Sequence, residues 1–324
     1  RNLYVDDDSV SEITVDAEKG KIILEAQANG NKVKEIRLYQ NGKLVGNNSR
    51  NLFVEDDVTH DANKKELEVQ LIEGLNEFSA IAINSQGTES TPEKLNVIYN
   101  PPQQSLIKPQ GIQAHLLIVG IDEYQNSKYN LNYAVADATG FQESVQSGLS
   151  KITSKTHVYF IKNSEAIRDN IISRLTEIAS VANPQDIFIF YYAGHGVMSE
   201  SGENEFYLVP SDVTQLYGDD GALKQKGISA TELKKIASGI IAQKQLYILD
   251  ACQSAGALAT VAARGAVEEK AIAQLARSTG THWLTASGSQ QFATEFDELG
   301  HGVFTYALLE ALRVRQIVVT IVLQ

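Results

Sequence analysis

Near residue 111 the apolar pattern of the chain changes its period, and that change limits what the chain can fold into. Upstream, short stretches alternate apolar and polar residues, as half-buried strands do: 13–15, 21–26, 33–39, 66–72, 78–83 and 95–99. Asn41-Gly42 stands between Ile36-Arg37-Leu38-Tyr39 and Lys43-Leu44-Val45. That is a hairpin signal, because a type I′ turn needs positive φ at both central residues. Gly74-Leu75-Asn76 leads into one strand and Asn84-Ser85-Gln86-Gly87 leaves it. About seven short strands within residues 1–99 predict an immunoglobulin-like β-sandwich. No cluster of titratable residues falls there, so this module is expected to act as a spacer or interaction surface. Residues 100–111 hold three of the six prolines without periodicity and read as a linker.

From 112 to 324 apolar strands alternate with helical patterns. Strands are expected at 115–121, 157–161, 187–192, 245–249 and 282–286. Helices are expected at 132–149, 164–181, 229–241 and 265–279, with a last one near 302–313. Ser229-Ala230-Thr231-Glu232 is a capping box opening one of them. This order implies an α/β fold: a mostly parallel sheet with helices on both faces. Active groups in such sheets gather at the carboxyl ends of the strands.

Composition narrows the function classes. With 43% hydrophobic and 21% charged residues the chain can bury a full core. A net charge of −12 without a Lys/Arg cluster argues against nucleic acid as a partner. No run of 18 apolar residues exists, so no spanning helix and no membrane partner is expected. A single cysteine excludes an internal disulfide framework and a Cys-rich zinc site. The chain starts at Arg1 and its one methionine is Met198, so a piece of a longer chain is expected, with any regulatory domain upstream.

Two strand ends carry the candidate chemistry. The strand Asp186-Ile187-Phe188-Ile189-Phe190-Tyr191-Tyr192 runs into Ala193-Gly194-His195-Gly196, and Lys244-Gln245-Leu246-Tyr247-Ile248-Leu249-Asp250 runs into Ala251-Cys252-Gln253-Ser254. Taken singly, Cys252 reads first as a small core residue and His195 as a turn residue. Together, just beyond the ends of successive buried strands, they can face each other across one cleft, His195 on an open strand end. Thiol catalysis needs that arrangement: the thiolate is the nucleophile, and a nearby His takes its proton. Backbone N–H groups of Gly196 and Cys252 are candidates for an oxyanion hole.

Gly-His-Gly after one strand and Asp-x-Cys after the next resemble the caspase and metacaspase cysteine peptidases, the bacterial members in particular. His preceding Cys by about 50 residues suits caspases, and here the two are 57 positions apart. The likeness extends over about 114–313. It includes Ile118-Val119-Gly120-Ile121-Asp122-Glu123-Tyr124, Tyr133-Ala134-Val135-Ala136-Asp137-Ala138, Leu208-Val209-Pro210-Ser211-Asp212 and Gly302-Val303-Phe304-Thr305-Tyr306-Ala307. The resemblance implies an endopeptidase with His195 as base, Cys252 as nucleophile, and Gly196 and Cys252 N–H groups as the oxyanion hole.

The sequence also departs from caspases. Gln-Ala-Cys-x-Gly is replaced by Asp250-Ala251-Cys252-Gln253-Ser254, and the arginine that reads an acidic substrate falls near Leu131. Metacaspases place two aspartates beneath a basic substrate side chain, and by motif these match Asp137 and Asp250. Protein or peptide substrates cut after Arg or Lys follow. Asp137 pinning its own helix, and Asp250 orienting the Cys loop, stay open as structural readings. Calcium dependence, known in metacaspases, is not expected, and no other cofactor or metal is. Asp212 matches one family ligand, but Ala230-Thr231 replaces the paired aspartates, and no acid follows Cys252 until Glu268. Asp219-Asp220 reads as solvated loop acids. His60, His115, His157, His282 and His301 lack motif context.

Caspase relatives are often cut behind the nucleophile, and Ala262-Ala263-Arg264-Gly265 makes Arg264 the candidate self-cleavage site. Competing classes are a caspase-fold scaffold acting by protein–protein interaction and a nucleotide-binding doubly wound enzyme. The second lacks a glycine-rich phosphate loop after the first strand, where Gly120-Ile121-Asp122-Glu123-Tyr124 stands. By analogy the setting is regulated proteolysis in the cytoplasm. The tail 314–324 is apolar without helical period. It reads either as a final strand or as a shifted reading frame after Arg313.

Overall fold

The computed structural model describes residues 10–26, 32–46, 63–102, 111–199, 205–216, 220–252, 279–286, 295–296 and 300–314. Residues 265–278 of the helix expected at 265–279, Arg264, most of the linker and the tail from 315 lie outside the described residues.

The amino-terminal module is all-β. Its strands are β1 (Ser11–Val15), β2 (Lys19–Glu25), β3 (Val33–Gln40), β4 (Lys43–Leu44), β5 (Lys64–Gln70), β6 (Gly74–Asn84) and β7 (Glu93–Tyr99). One sheet runs β1-β7-β6-β3-β4 and a second pairs β2 with β5. Leu38, Phe78 and Val97 from the first sheet pack on Leu67 and Val69 from the second, which makes a two-layer module consistent with the expected sandwich. Asn41 (φ 51°) and Gly42 (φ 84°) form the β3–β4 turn that their sequence predicts.

The second part is the α/β domain. Its parallel strands are β8 (Gln113–Gly120), β9 (Lys155–Lys162), β10 (Ile187–Met198), β13 (Lys244–Cys252) and β14 (His282–Thr285). They lie in the order β9-β8-β10-β13-β14. Helices α1 (Ala134–Leu149) and α5 (Val303–Val314) cover one face, where Ala134, Ala138 and Phe141 meet Ile118, Tyr191 and Ile248, with Phe304 and Leu308 against them. On the other face α2 (Arg168–Val181), α3 (Gly221–Lys226) and α4 (Ala230–Gly239) bury Ile171, Leu223 and Ile236 against Phe190 and Leu249. The capping box forms as read: the Ser229 side chain accepts from the Glu232 N–H, and Glu232 accepts from the Ser229 N–H. The chain goes outward from β8 to β9 and returns to β10 on the other side of β8. The crevice between the carboxyl ends of β8 and β10 is therefore the switch point where α/β sheets place their sites.

The expected strand 187–192 is too short. β8 leaves β10 at the pair Ala193–Gly120, but β11 (Phe206–Leu208) takes over antiparallel at Gly196–Leu208, with β12 (Ile228–Ser229) beyond it. The new neighbour keeps β10 extended to Met198, so His195 lies inside the strand and not past its end. It is also buried, 2% exposed, where an open strand end was expected.

The β3–β4 hairpin sits against the amino-terminal ends of β10 and β13, opposite the ends that carry His195 and Cys252. The Asn41 side-chain amide donates to Gln243 Oε1 at 2.6 Å. Lys43 is buried beside Gly46, Pro184, Ser238 and Gln243, and burial lowers its ammonium to about 7. No helix of the described residues is long and apolar enough to cross a membrane.

Candidate active site

β10 and β13 pair in parallel from Ile187–Lys244 to His195–Cys252, so the His and the Cys end one register as direct neighbours. Adjacent strands lie about 4.8 Å apart, so the two residues leave neighbouring backbones at the same level of the sheet. Val209 N–H donates to the His195 carbonyl at 3.0 Å, and His195 N–H donates to the Tyr124 hydroxyl at 2.9 Å. Both peptide groups of His195 thus face away from β13. Strand alternation then turns the Gly196 N–H toward β13, where Cys252 ends.

The imidazole is held by two residues of the segment after β8. Its Nε2 lies 2.6 Å from the Tyr129 carbonyl. A carbonyl only accepts, so Nε2 carries the proton and the neutral ring keeps its basic lone pair on Nδ1. Tyr124 packs its ring 4.8 Å from the imidazole, and Tyr129 approaches edge-on at 6.3 Å. The Tyr192 hydroxyl ties the next turn of chain, 2.9 Å from the His195 carbonyl and 2.8 Å from that of Val209. The flanking glycines have a packing reason. A Cβ on Gly194 would stand 2.8 Å from the Tyr124 and Tyr192 hydroxyls, and one on Gly196 would stand 2.8 Å from the Phe206 ring. Sequence reasoning missed Tyr124 and Tyr129. Tyr124 closes the quoted Ile118–Tyr124 motif, but a backbone acceptor such as Tyr129 leaves no residue-type signal.

Asp137 and Asp250 come together although 113 positions separate them, and both are buried at 4% and 5% exposure. Asp137 lies in the first turn of α1, and Asp250 lies two residues before the end of β13 on the face that α1 and α5 cover. A Cβ placed on Gly302 would be 2.9 Å from Asp137 Oδ2 and 3.7 Å from Asp250 Oδ2, so both carboxylates reach one point at the start of α5. There Asp137 accepts from the Gly302 N–H at 3.1 Å and faces His301 Nδ1 at 2.8 Å. Thr305 Oγ1 donates to Asp250 Oδ2 at 2.6 Å, and the Tyr191 hydroxyl lies 2.6 Å from that Oγ1. His301, which has no motif context, therefore touches one of the two candidate carboxylates.

The other sequence candidates lie elsewhere. Asp212 is paired with Lys226, whose Nζ is 3.1 Å from Oδ2. Asp220 is buried at the start of α3, which corrects its reading as a solvated loop acid. Leu131 packs against the hydrophobic cores. Among the described residues no group of three or more His, Cys, Asp or Glu is arranged to hold a metal.

A fold with helices on both sides of a β9-β8-β10-β13-β14 sheet, with His and Cys in register across two neighbouring strands, defines a class. The caspase domain family matches residues 113–320, and the chain belongs to that family, whose fold is that of a cysteine peptidase. No match to the chain emerges among curated proteins. Among solved structures, the fibronectin(III)-like modules of Clostridium thermocellum CbhA are similar at 20% identity, covering 29% of this chain and 93% of theirs with a TM-score of 0.23. A protein of Geobacter sulfurreducens is 16% identical over 63% of this chain and 83% of its own, with a TM-score of 0.45. At these scores neither likeness bears on fold or chemistry.

Proposed function

We propose that this chain is a cysteine endopeptidase that cleaves proteins or peptides after Arg or Lys, using His195 and Cys252. The observation that carries the reading is the His195–Cys252 register pair, with Nε2 of His195 against the Tyr129 carbonyl. In this reading Nδ1 removes the thiol proton as Cys252 Sγ attacks the substrate carbonyl carbon. The carbonyl oxygen takes the negative charge and is held by the N–H groups of Gly196 and Cys252. The imidazolium then protonates the leaving amine, and water hydrolyses the thioester by the same route in reverse.

Selectivity rests on Asp137 and Asp250. Two buried carboxylates that converge on one point offer a guanidinium charge-assisted, bidentate recognition, and they offer an acidic side chain only repulsion. The net charge of −12 favours approach of basic segments as well. Profiling the purified chain on a peptide library beside Cys252→Ala tests the whole reading. Cleavage after Arg or Lys, absent in the variant, is the expected result. Cleavage after Asp would overturn the specificity, and equal hydrolysis by Cys252→Ala would overturn the nucleophile.

A further inference from the structure

His301 stands where nothing in the motif pattern calls for a titratable residue. It occupies β16 (His301–Gly302), a two-residue strand paired among the described residues with β15 (Glu295–Phe296) and continuous with α5. Its Nδ1 is 2.8 Å from Asp137 Oδ1, and its side chain keeps 26% of its exposure against 5% for the carboxylate. Room for the ring comes from Gly140, in the interior of α1. A Cβ there would meet His301 Cε1 at 3.2 Å and Leu309 Cδ1 at 3.1 Å. Glycine in a helix interior is less stable than alanine, because it gives up more backbone freedom on folding. That cost is borne at the one turn of α1 where the His301 ring lies against the helix.

The partners of the two carboxylates divide into permanent and replaceable ones. The Gly302 N–H belongs to the backbone at the start of α5, and Thr305 is fully buried between Asp250 and Tyr191. Among the described residues, His301 reaches Asp137 with a side chain that keeps 26% exposure, on a strand whose described pairing is two residues long. One backbone N–H does not fill the acceptor capacity of a buried carboxylate, so the imidazole adds to the Gly302 N–H in stabilising Asp137 while no substrate is bound. One imidazole N–H is a poorer partner for a carboxylate pair than a guanidinium with five donors in a fixed fork.

We propose that His301 is a specificity-determining residue that occupies the substrate's cationic subsite on Asp137 and is displaced by an incoming Arg or Lys side chain. This inference rests on the Arg/Lys reading above and adds to it an exchange: one basic group leaves Asp137 as another arrives. Cations that cannot outcompete His301 are rejected, so Arg is preferred to Lys and both to weaker bases. The contribution of His301 falls on substrate binding, and it is a positioning residue with no part in the bond-breaking steps.

The test uses the full chain carrying His301→Ala or His301→Gln, the glutamine keeping a neutral hydrogen bond to Asp137 in case the alanine fails to fold. Steady-state kinetics on an Arg peptide are paired with calorimetric binding of agmatine to the Cys252→Ala form, with and without the His301 change. The expected result is about tenfold lower KM and agmatine Kd in the His301 variants, with a reduced preference for Arg over Lys. A rise in both constants would make His301 a support of the pocket and overturn the inference, as would unchanged constants in a folded variant. Failure of the Arg/Lys reading looks different: agmatine would bind none of the forms, and the wild type would cut after other residues.

Discussion

His195 and Cys252 are direct neighbours across β10 and β13, the last pair in a parallel register of nine. Everything proposed about bond cleavage depends on that adjacency.

If the pair acts as base and nucleophile, Cys252→Ala should abolish hydrolysis. His195→Ala should lower kcat by about 10²- to 10⁴-fold, the usual contribution of a positioned acid–base group. Circular dichroism should show that both variants fold, with a lower melting temperature for His195→Ala, which removes a ring that is 2% exposed. Full activity in either folded variant would end the assignment.

Neutralising Asp137 or Asp250 to Asn should cost about 2–4 kcal/mol in kcat/KM on Arg substrates, the range for breaking a desolvated charge pair. That corresponds to about 30- to 1,000-fold. Substrates with a neutral residue at the cleaved position should be almost unaffected. A uniform loss on all substrates would point instead to the structural tie between Asp250 and Thr305.

Activity should survive EGTA. Lys226 places its ammonium 3.1 Å from Asp212 Oδ2 and 2.9 Å from the Asp212 carbonyl, so a cation already neutralises the one matched ligand. Ala230 and Thr231 start α4 without carboxylates, and the Thr231 N–H donates to Glu205 at 2.7 Å. Peptidase assays across added calcium should be flat. Loss in chelator that calcium restores would refute this.

Lys43 gives the protein a pH-dependent stability. Burial lowers its pKa from 10.5 to about 7. Between those values the unfolded chain binds the extra proton, so stability rises with pH, and below about pH 7 the penalty is complete and constant. Lys43→Met should therefore stabilise the protein near pH 6 by on the order of 3–5 kcal/mol, the advantage shrinking as pH rises toward 9 and beyond. Denaturation midpoints of both proteins from pH 6 to pH 9 provide the check. A gap that does not narrow with pH would show that Lys43 is not the source.

Processing is expected at Arg264, which small residues flank on both sides in Ala262-Ala263-Arg264-Gly265. Intact mass of the wild type beside Cys252→Ala should show two fragments in the wild type only. One intact species from a preparation that cleaves peptides would exclude self-cleavage.

Much of this architecture is local and could be read directly. Alternation over 33–39 and 66–72 marks strands because side chains on a strand alternate faces. Asn41-Gly42 marks its turn because few residues accept positive φ, and Ser229 with Glu232 marks a helix start because the two side chains satisfy backbone groups nearby. The motifs also pointed to His195, Cys252, Asp137 and Asp250. Only the tertiary structure decided how they relate. β10 extends through His195 because β11, three residues long and without a pattern of its own, replaces β8 as its neighbour. The basic nitrogen of His195 is set by the Tyr129 carbonyl, a backbone atom that every residue type carries. Asp137 and His301 are 164 positions apart and meet through the packing of α1 against α5. Sequence determines what pairs with itself within a turn or a strand. Contacts between distant backbone and side-chain atoms follow from how the layers stack, and composition carries no trace of them.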